Sequence, residues 1–380
     1  MAYLDYLYWF SLFILIYTYF GYPLIIYGIS RFIHRPCNRG DNLPGLSIVF
    51  SAYNEAQVIQ EKIQKSLTID YPQNLVEIIV ISDASTDMTN EIVRRFENQG
   101  VQLVVNSKRM GKTYGLNRAA EIAKNPILVF TDSNAMFEPN ALTSLVRYFN
   151  DPTVGLVTGS TKYFSRNESD QIVKNIDSYT KLERWIKVNE SRIGSCVGAD
   201  GAIFAMRRDL YKPLANTDIN DFVLPLAVVR QGFRAIFDAE AFCLEEHAVD
   251  STGEYQRQIR IATRTIHALI RHADLFNLFR YGGYSWMLAS HKLLRFIFPW
   301  VALAFFAANI VLIFTPSYIY KVSLLSILIL LSLSLLCRIV SNKVLTVLMA
   351  FFDLNLAILT GWIKVFRRQT FVSWGEGEKN

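Results

Sequence analysis

Three short stretches of this chain place carboxylates and their neighbours directly after apolar runs. Ser51-Ala52-Tyr53-Asn54-Glu55 follows residues 46–50, Asp83-Ala84-Ser85-Thr86-Asp87 follows 76–82, and Asp132-Ser133-Asn134 follows 127–131. Such acids can hold a divalent cation, and the cation a diphosphate. Mg²⁺ or Mn²⁺ takes one or two carboxylates and completes its shell with phosphate oxygens and water. Asp132, at the end of an apolar run, suits that role. The alternative phosphate holder, a glycine-rich turn, is missing. No G-x-G-x-x-G follows the first run, and Gly111-Lys112-Thr113 would need glycine where Asn106 stands to complete a P-loop. Zinc is disfavoured, because the five histidines form no H-E-x-x-H and no paired spacing with cysteine. Each loop also has a plainer reading: Ser51, Asn54, Thr86 and Asp87 all suit helix N-caps. Three such loops on one edge favour a site over three separate caps.

Elements of alternating type must position those loops. Between residues 45 and 160, short β-branched runs at 46–50, 76–82, 101–105 and 127–131 alternate with helical spacing at 56–67, 89–98 and 114–123. This is the pattern of βαβ units around a mainly parallel sheet. Strands apolar throughout, such as Ile78-Ile79-Val80-Ile81, are expected where helices cover both faces. Ligands in such sheets bind beyond the carboxyl ends of the strands, where the three loops fall.

The body so outlined sits between apolar segments. Of 380 residues, 51% are hydrophobic and only 19% charged, with a mean hydropathy of +0.21. That composition excludes a disordered chain and argues against a wholly soluble one. Residues 6–30 and 296–320 carry no charge, and about 20 such residues cross a hydrocarbon core. The first segment lacks a basic n-region and a small-residue cleavage site, so it reads as an anchor rather than a signal peptide. Arg31, Arg35 and Arg39 follow it, which puts the N-terminus outside and the body in the cytoplasm. Cys37, Cys196, Cys243 and Cys337 are scattered singly, as befits reduced thiols. On this reading the sequons at Asn167 and Asn189 carry no glycan. The formal charge of +6 flanks apolar segments, which suits anionic lipid rather than nucleic acid. The expected order is a transmembrane helix at 6–30, a cytoplasmic domain at 44–255, interfacial helices at 256–295, two or three spans within 296–364, and a tail at 365–380. The last apolar stretch, 344–363, holds Asp353 and Asn355. If it spans, the basic tail with Lys364, Arg367 and Arg368 lies outside, against the charge rule; if it is interfacial or re-entrant, the tail stays inside.

Taken in order, the three acidic loops together with Gly111-Lys112 and Asn117 resemble the nucleotide-sugar-binding motifs of family 2 glycosyltransferases, which have a GT-A fold. Gly198-Ala199-Asp200-Gly201 with Arg207-Arg208 is similar to their acceptor-side segment, and Asn220-Asp221-Phe222-Val223-Leu224-Pro225 to the segment carrying their catalytic base. The flanking apolar helices resemble the membrane-bound branch of cellulose, hyaluronan and poly-N-acetylglucosamine synthases. The resemblance implies an α/β fold with a Rossmann-like mixed sheet. It implies that Tyr53, Glu55, Asp83, Lys112 and Asp132 bind a UDP-sugar, that Asp132 and Asn134 hold the metal, that Asp200 and Gly201 meet the acceptor, and that Asp221 is the general base.

The implied reaction is an inverting transfer of a hexose or N-acetylhexosamine to a growing polysaccharide or a lipid-linked glycan. Arg257, Arg260 and Arg264 share a helix face, and Arg260 is the expected second clamp on the leaving phosphate; the same face also suits a membrane surface. His291 reads as structural, at the start of a membrane helix. Two positions depart from the family pattern. D-x-D is Asp132-Ser133-Asn134, and Q-x-x-R-W is Arg257-Gln258-Ile259-Arg260-Ile261, without the tryptophan that would stack on an acceptor sugar. The second counts against polymer synthesis. A non-catalytic, membrane-tethered nucleotide-sugar sensor or scaffold is the alternative these departures leave.

Overall fold

The computed structural model describes residues 2–164, 171–246, 251–336 and 343–371. Cys337 and the Asn167 sequon lie outside them. The chain begins as α1 (Ala2–Ile16), passes a π turn at Tyr17–Gly21 and continues as α2 (Tyr22–Phe32). The body follows as β1 (Leu46–Ala52), α3 (Ile59–Leu67), β2 (Val76–Ser82), α4 (Thr89–Arg94), β3 (Val101–Val105), α5 (Lys112–Ile122) and β4 (Ile127–Thr131). Then come β5 (Ala135–Phe137), α6 (Ala141–Val146), β6 (Val154–Phe164), α7 (Gln171–Ile193), β7 (Ile203–Arg207), α8 (Asn220–Arg230) and β8 (Arg234–Glu246). The last part holds α9 (Ser251–Arg271), α10 (Leu278–Tyr281), α11 (Gly283–Leu288), α12 (Leu294–Leu312), α13 (Tyr318–Leu336) and α14 (Lys343–Phe366).

The sheet runs β3-β2-β1-β4-β7-β6-β8-β5. β3, β2, β1 and β4 are parallel neighbours, as the alternation predicts. Beyond β4 the sheet is mixed: β7 is antiparallel to β4 and β6, β6 is parallel to β8, and β5 is antiparallel to β8. Alternate residues feed opposite faces. Val49, Ile79 and Leu128 enter one buried cluster, while Ile48, Val80 and Val129 enter the other. Burial on both faces is why these strands read as unbroken apolar runs. Two helices are shorter than their spacing suggests. α3 begins at Ile59 because the Glu55 carbonyl accepts from both Val58 N and Ile59 N, closing a turn first. The pattern over 89–98 breaks after Arg94 into a short 3₁₀ turn ended by Gly100 at φ 84°.

Among the described residues, three helical runs are long and apolar enough to cross a membrane: Ala2–Phe32, Gly283–Leu312 and Leu345–Phe366, with a shorter apolar helix at Tyr318–Ser334. The helix expected from residue 296 starts at Gly283 and carries a π turn at Ala289–Leu293. His291 is therefore inside that run rather than at its start. It is fully buried between two carboxylates, with Nδ1 2.7 Å from Glu190 Oε1 and Nε2 3.1 Å from Glu183 Oε2. Tyr22 OH donates to the same Glu190 at 2.5 Å, and Ser30 Oγ donates to Asn189 Oδ1 at 2.7 Å. This polar seam fastens α2 and the π turn to α7 of the body.

α14 packs along α9. Gly361 is the close approach: a Cβ there would stand 3.0 Å from Ala262 Cβ and 3.2 Å from Thr263 N. Trp362 Nε1 donates to the Phe296 carbonyl at 2.7 Å, and His267 Nε2 lies 3.2 Å from the Gln369 carbonyl. The end of α14 thus sits against α9 and α12. Gly361→Leu should push α14 off α9, at the cost of about 1–3 kcal/mol that overpacking usually carries. Thermal unfolding of the detergent-solubilised protein checks this; an unchanged midpoint would mean the contact carries no weight.

Candidate active site

The acidic loops after β1 and β2 are zipped to each other. Asn54 and Ala84 both adopt left-handed backbone, at φ 54° and 60°. Asn54 caps no helix; its Oδ1 accepts from Thr86 N at 2.9 Å, and its own N donates to Ser85 Oγ at 3.2 Å. Asp87 Oδ2 accepts from Ala56 N, while its Oδ1 accepts from Thr89 N at the start of α4. Asp83 is buried and holds a further loop: Oδ1 accepts from Met110 N at 2.8 Å and Asn106 Nδ2 at 3.0 Å, Oδ2 from Gly111 N at 2.9 Å. That latch, with Gly111 at φ 86°, sets the direction in which α5 leaves the loop. Tyr53 lies under the Arg109 guanidinium, 3.7 Å from the ring centre.

Lys112, the first residue of α5, pairs through Nζ with Asp132 Oδ1 after β4. Glu55 stands nearby. Burial raises its carboxyl, the charges of Asp132 and Asp87 push the same way, and a hydrogen bond with Ser133 opposes them. Asn134 Nδ2 donates to Glu245 Oε1 at 3.0 Å. Burial, and next the charge of Asp132, push Glu245 up to about 7.

The acceptor-side residues form a second wall. Asp200 Oδ2 accepts from Thr161 N and Oδ1 from Thr161 Oγ1, both at 2.7 Å, which ties its loop to β6. Asp221 sits in the first turn of α8, and its carbonyl accepts from Ala199 N at 2.6 Å. Its Oδ1 is buried and has no hydrogen-bond partner among the described residues. Burial raises this carboxyl, against the pull of Lys112, Lys187 and Lys292. Gly201 makes room for it, since a Cβ there would lie 3.0 Å from Asp221 Oδ2.

One cavity of about 520 Å³ gathers Lys112, Asp132, Asn134, Asp221, Glu245 and Arg260, with Asp200 and Gly201 also in its wall. Tyr53, Glu55 and Asp83 stand outside that wall, at the β1–β2 end of the edge. The arginine face divides. Burial, then the neighbouring Arg257, lowers Arg260, and Arg257 pairs with Glu254 at 2.9 Å. Arg264 also lines the cavity, but it is clasped by the Thr217 and Asp218 carbonyls and by Thr113 Oγ1. Asn117 and Arg207 serve the scaffold, through Leu214 and through the Val154 and Phe149 carbonyls.

Residues 47–214 match the family described as glycosyl transferase family 2. A poly-beta-1,6-N-acetyl-D-glucosamine synthase of Staphylococcus epidermidis is 25% identical over 186 residues, 48% of this chain and 44% of that protein. The synthase of the same name from Staphylococcus aureus (strain COL) is 23% identical over 288 residues, 73% of this chain and 68% of its own. The chain thus spans less than half of the first relative and about two thirds of the second. Among solved structures, the mannosyltransferase PcManGT from Pyrobaculum calidifontis, in complex with GDP-Man and Mn²⁺, shares the fold at a TM-score of 0.71, 24% identity, 95% coverage of this chain and 99% of that one. Residues 47–214 form a family 2 glycosyltransferase domain, and the mixed sheet has the GT-A architecture. Apolar helices flank this domain on both sides.

Two residues escape a sequence reading, the half-buried Glu245 and the buried Lys62. Glu245 reaches the site only through the pairing of β8 with β5, where it opposes Ala135. Lys62, on α3, is fully buried beneath the Asp132 turn; Nζ donates to Thr131 Oγ1 at 2.9 Å and to the Ala135 carbonyl, 4.1 Å above the Phe137 ring centre. Its only sequence signal is a lysine in line with the apolar face of α3. Burial lowers its ammonium from 10.5 to about 7. Between those values the unfolded chain binds a proton that the folded one does not, so this residue makes stability rise with pH across that window. Lys62→Met should flatten the rise in unfolding midpoint between about pH 7 and 10. An equally steep rise in the variant would contradict the assignment.

Proposed function

We propose that the chain transfers a hexose or N-acetylhexosamine from UDP to an acceptor hydroxyl at the membrane surface, with inversion at the anomeric carbon. The observation that carries this reading is Asp221, whose buried Oδ1 has no hydrogen-bond partner among the described residues and which lines one cavity with Lys112 and Asp132. The acceptor oxygen attacks opposite the leaving diphosphate, and Asp221 takes its proton. Position matters more than basicity for such a base, and Gly201 keeps that position open. Arg257 and Arg260 bring positive charge to the side where the diphosphate leaves. The two staphylococcal relatives, both poly-beta-1,6-N-acetyl-D-glucosamine synthases, support an N-acetylhexosamine as the sugar.

The donor set suits a metal that arrives with its nucleotide. No group of three His, Cys, Asp or Glu that could hold an ion occurs among the described residues. Asp132, with the carbonyl of Asn134 and the adjacent Glu245, fits Mg²⁺ or Mn²⁺, which needs one or two protein carboxylates beside phosphate and water. When bound, the ion neutralises charge developing on the leaving diphosphate. Lys112 balances Asp132 in its absence and is placed to turn toward a phosphate oxygen. The charge rule applied to Arg31, Arg35 and Arg39 supports a cytoplasmic body, and the contact of His267 with the Gln369 carbonyl supports a basic tail on the same side. That favours an interfacial or re-entrant α14. A sensor without catalysis would have no use for an unpartnered buried carboxylate.

A UDP-release screen over several UDP-sugars, with and without Mn²⁺, tests the donor. Asp221→Asn should lower transfer about 10²–10⁴-fold while donor binding persists. Full transfer by that variant would remove Asp221 from the chemistry. EDTA should abolish transfer and Mn²⁺ restore it; transfer indifferent to both would remove the metal.

A further inference from the structure

Asp221 also lines a second cavity. About 180 Å³ in size, it shares six residues with the first, among them Asp221, Gln258, Ile261 and Lys292. Its far wall is built from every run that is long and apolar enough to cross a membrane. Tyr19 comes from the first, Phe296 from the second, and Leu354 and Ile358 from the third. Ala262 and Thr265 of α9 complete the wall where α14 packs against it. Its charged lining residues are Asp221, Lys292 and Arg295; Arg295 is paired with Glu183 and lies 5.8 Å from the Tyr19 ring centre. A site that sets these groups beside Ala262, Phe296, Leu354 and Ile358 matches an amphiphile.

From this geometry we infer that the acceptor is a membrane-resident lipid bearing a hydroxyl head, which enters along the α9–α14 seam and receives a single sugar. The inference rests on Asp221 being the base. Ile261 lies at the throat between the two cavities, at the position where the processive pattern has tryptophan. A pyranose chain drawn past this point would lose the aromatic face on which sugars stack, whereas an acyl or glyceryl chain finds Ile261, Phe296, Leu354 and Ile358. The volume points the same way. At about 180 Å³ it is roughly a third of the size of the first cavity, room for a small head group and the start of a chain beside Asp221. In the step itself, Asp221 accepts the hydroxyl proton and the acceptor oxygen forms the bond to the anomeric carbon. The bond from that carbon to the diphosphate breaks, and its electron pair leaves with UDP.

The test uses the full-length protein in vesicles of host total lipid, supplied with radiolabelled UDP-N-acetylglucosamine or UDP-glucose. Diacylglycerol or monohexosyl-diacylglycerol is added in one arm, and soluble N-acetylglucosamine oligomers in the other. Label should enter the organic phase at about tenfold or more the level seen in the oligomers, as a product heavier by one sugar. Label in a water-soluble polymer that lengthens with time, or in the oligomers equally, overturns the inference while leaving Asp221 as base intact. No UDP release in any arm overturns the transfer reading, and this one with it. Ile358→Trp, and the milder Ile358→Phe, narrow the aliphatic end. Each should lower lipid transfer relative to donor hydrolysis about tenfold or more, a ratio that general unfolding would leave unchanged. An unaltered ratio in both variants overturns the site.

Discussion

Like charges brought to one edge of a sheet repel, and much of this structure is arranged around that cost. Asp132, Glu245, Glu55, Asp200 and Asp221 converge where β1, β4, β6 and β8 end, in surroundings far less polar than water. Each is compensated differently. Lys112 pairs with Asp132, and a backbone amide and a threonine hydroxyl satisfy Asp200. Glu245 is relieved by a raised affinity for a proton. Asp221 alone keeps a buried oxygen without a partner among the described residues, within reach of the fields of three lysines. An unsatisfied buried carboxylate oxygen is costly, and a fold that keeps one has it available for a ligand's hydroxyl.

The same cavity wall couples the site to the membrane helices. α9 carries Arg257 and Arg260 on the side facing the body and receives α14 at Gly361 on the other. The π turn at Ala289–Leu293 brings His291 inward to the two glutamates of α7 and Lys292 toward Asp221. A regular helix would rotate these adjacent residues differently, so the extra residue of the π turn lets one apolar helix serve both the polar seam and the cavity that Asp221 lines. Shifts of the membrane helices would therefore be felt at Asp221.

What could be read in advance divides along sequence separation. The GT-A sheet, the three acidic loops and the apolar flanks are local patterns, so the expected fold and the loops at the strand ends are those found. The parallel half of the sheet was legible for the same reason, whereas the antiparallel insertion of β7 between β4 and β6 depends on pairings far apart in sequence. Glu245 and Lys62 were missed because each reaches the site through the register of a distant strand or the tilt of one helix. Asp83 shows the converse. Its motif position is conspicuous, yet three of its contacts hold the 106–111 loop, a scaffold task that spacing cannot distinguish from ligand binding. The arginine face was legible as a face, but Arg264 differs from Arg260 only because the Thr217–Asp218 carbonyls happen to lie beside it.

The asparagine in place of the second acid of D-x-D looks, from sequence, like a weakened site. The neighbours of Asn134 give another account. Its amide donates to Glu245, which comes from the other end of the domain and lies close enough to Asp132 for their charges to interact. An aspartate at 134 would set a third carboxylate against these two with no donor between them, adding repulsion to a site where burial, and next the charge of Asp132, already push Glu245 up to about 7. Asparagine keeps a carbonyl available and supplies the donor that such a pair needs. The edge still carries two carboxylates, but the second is contributed by β8 rather than by the loop. The departure from the pattern is therefore a redistribution of charge, legible only once β5 and β8 are paired.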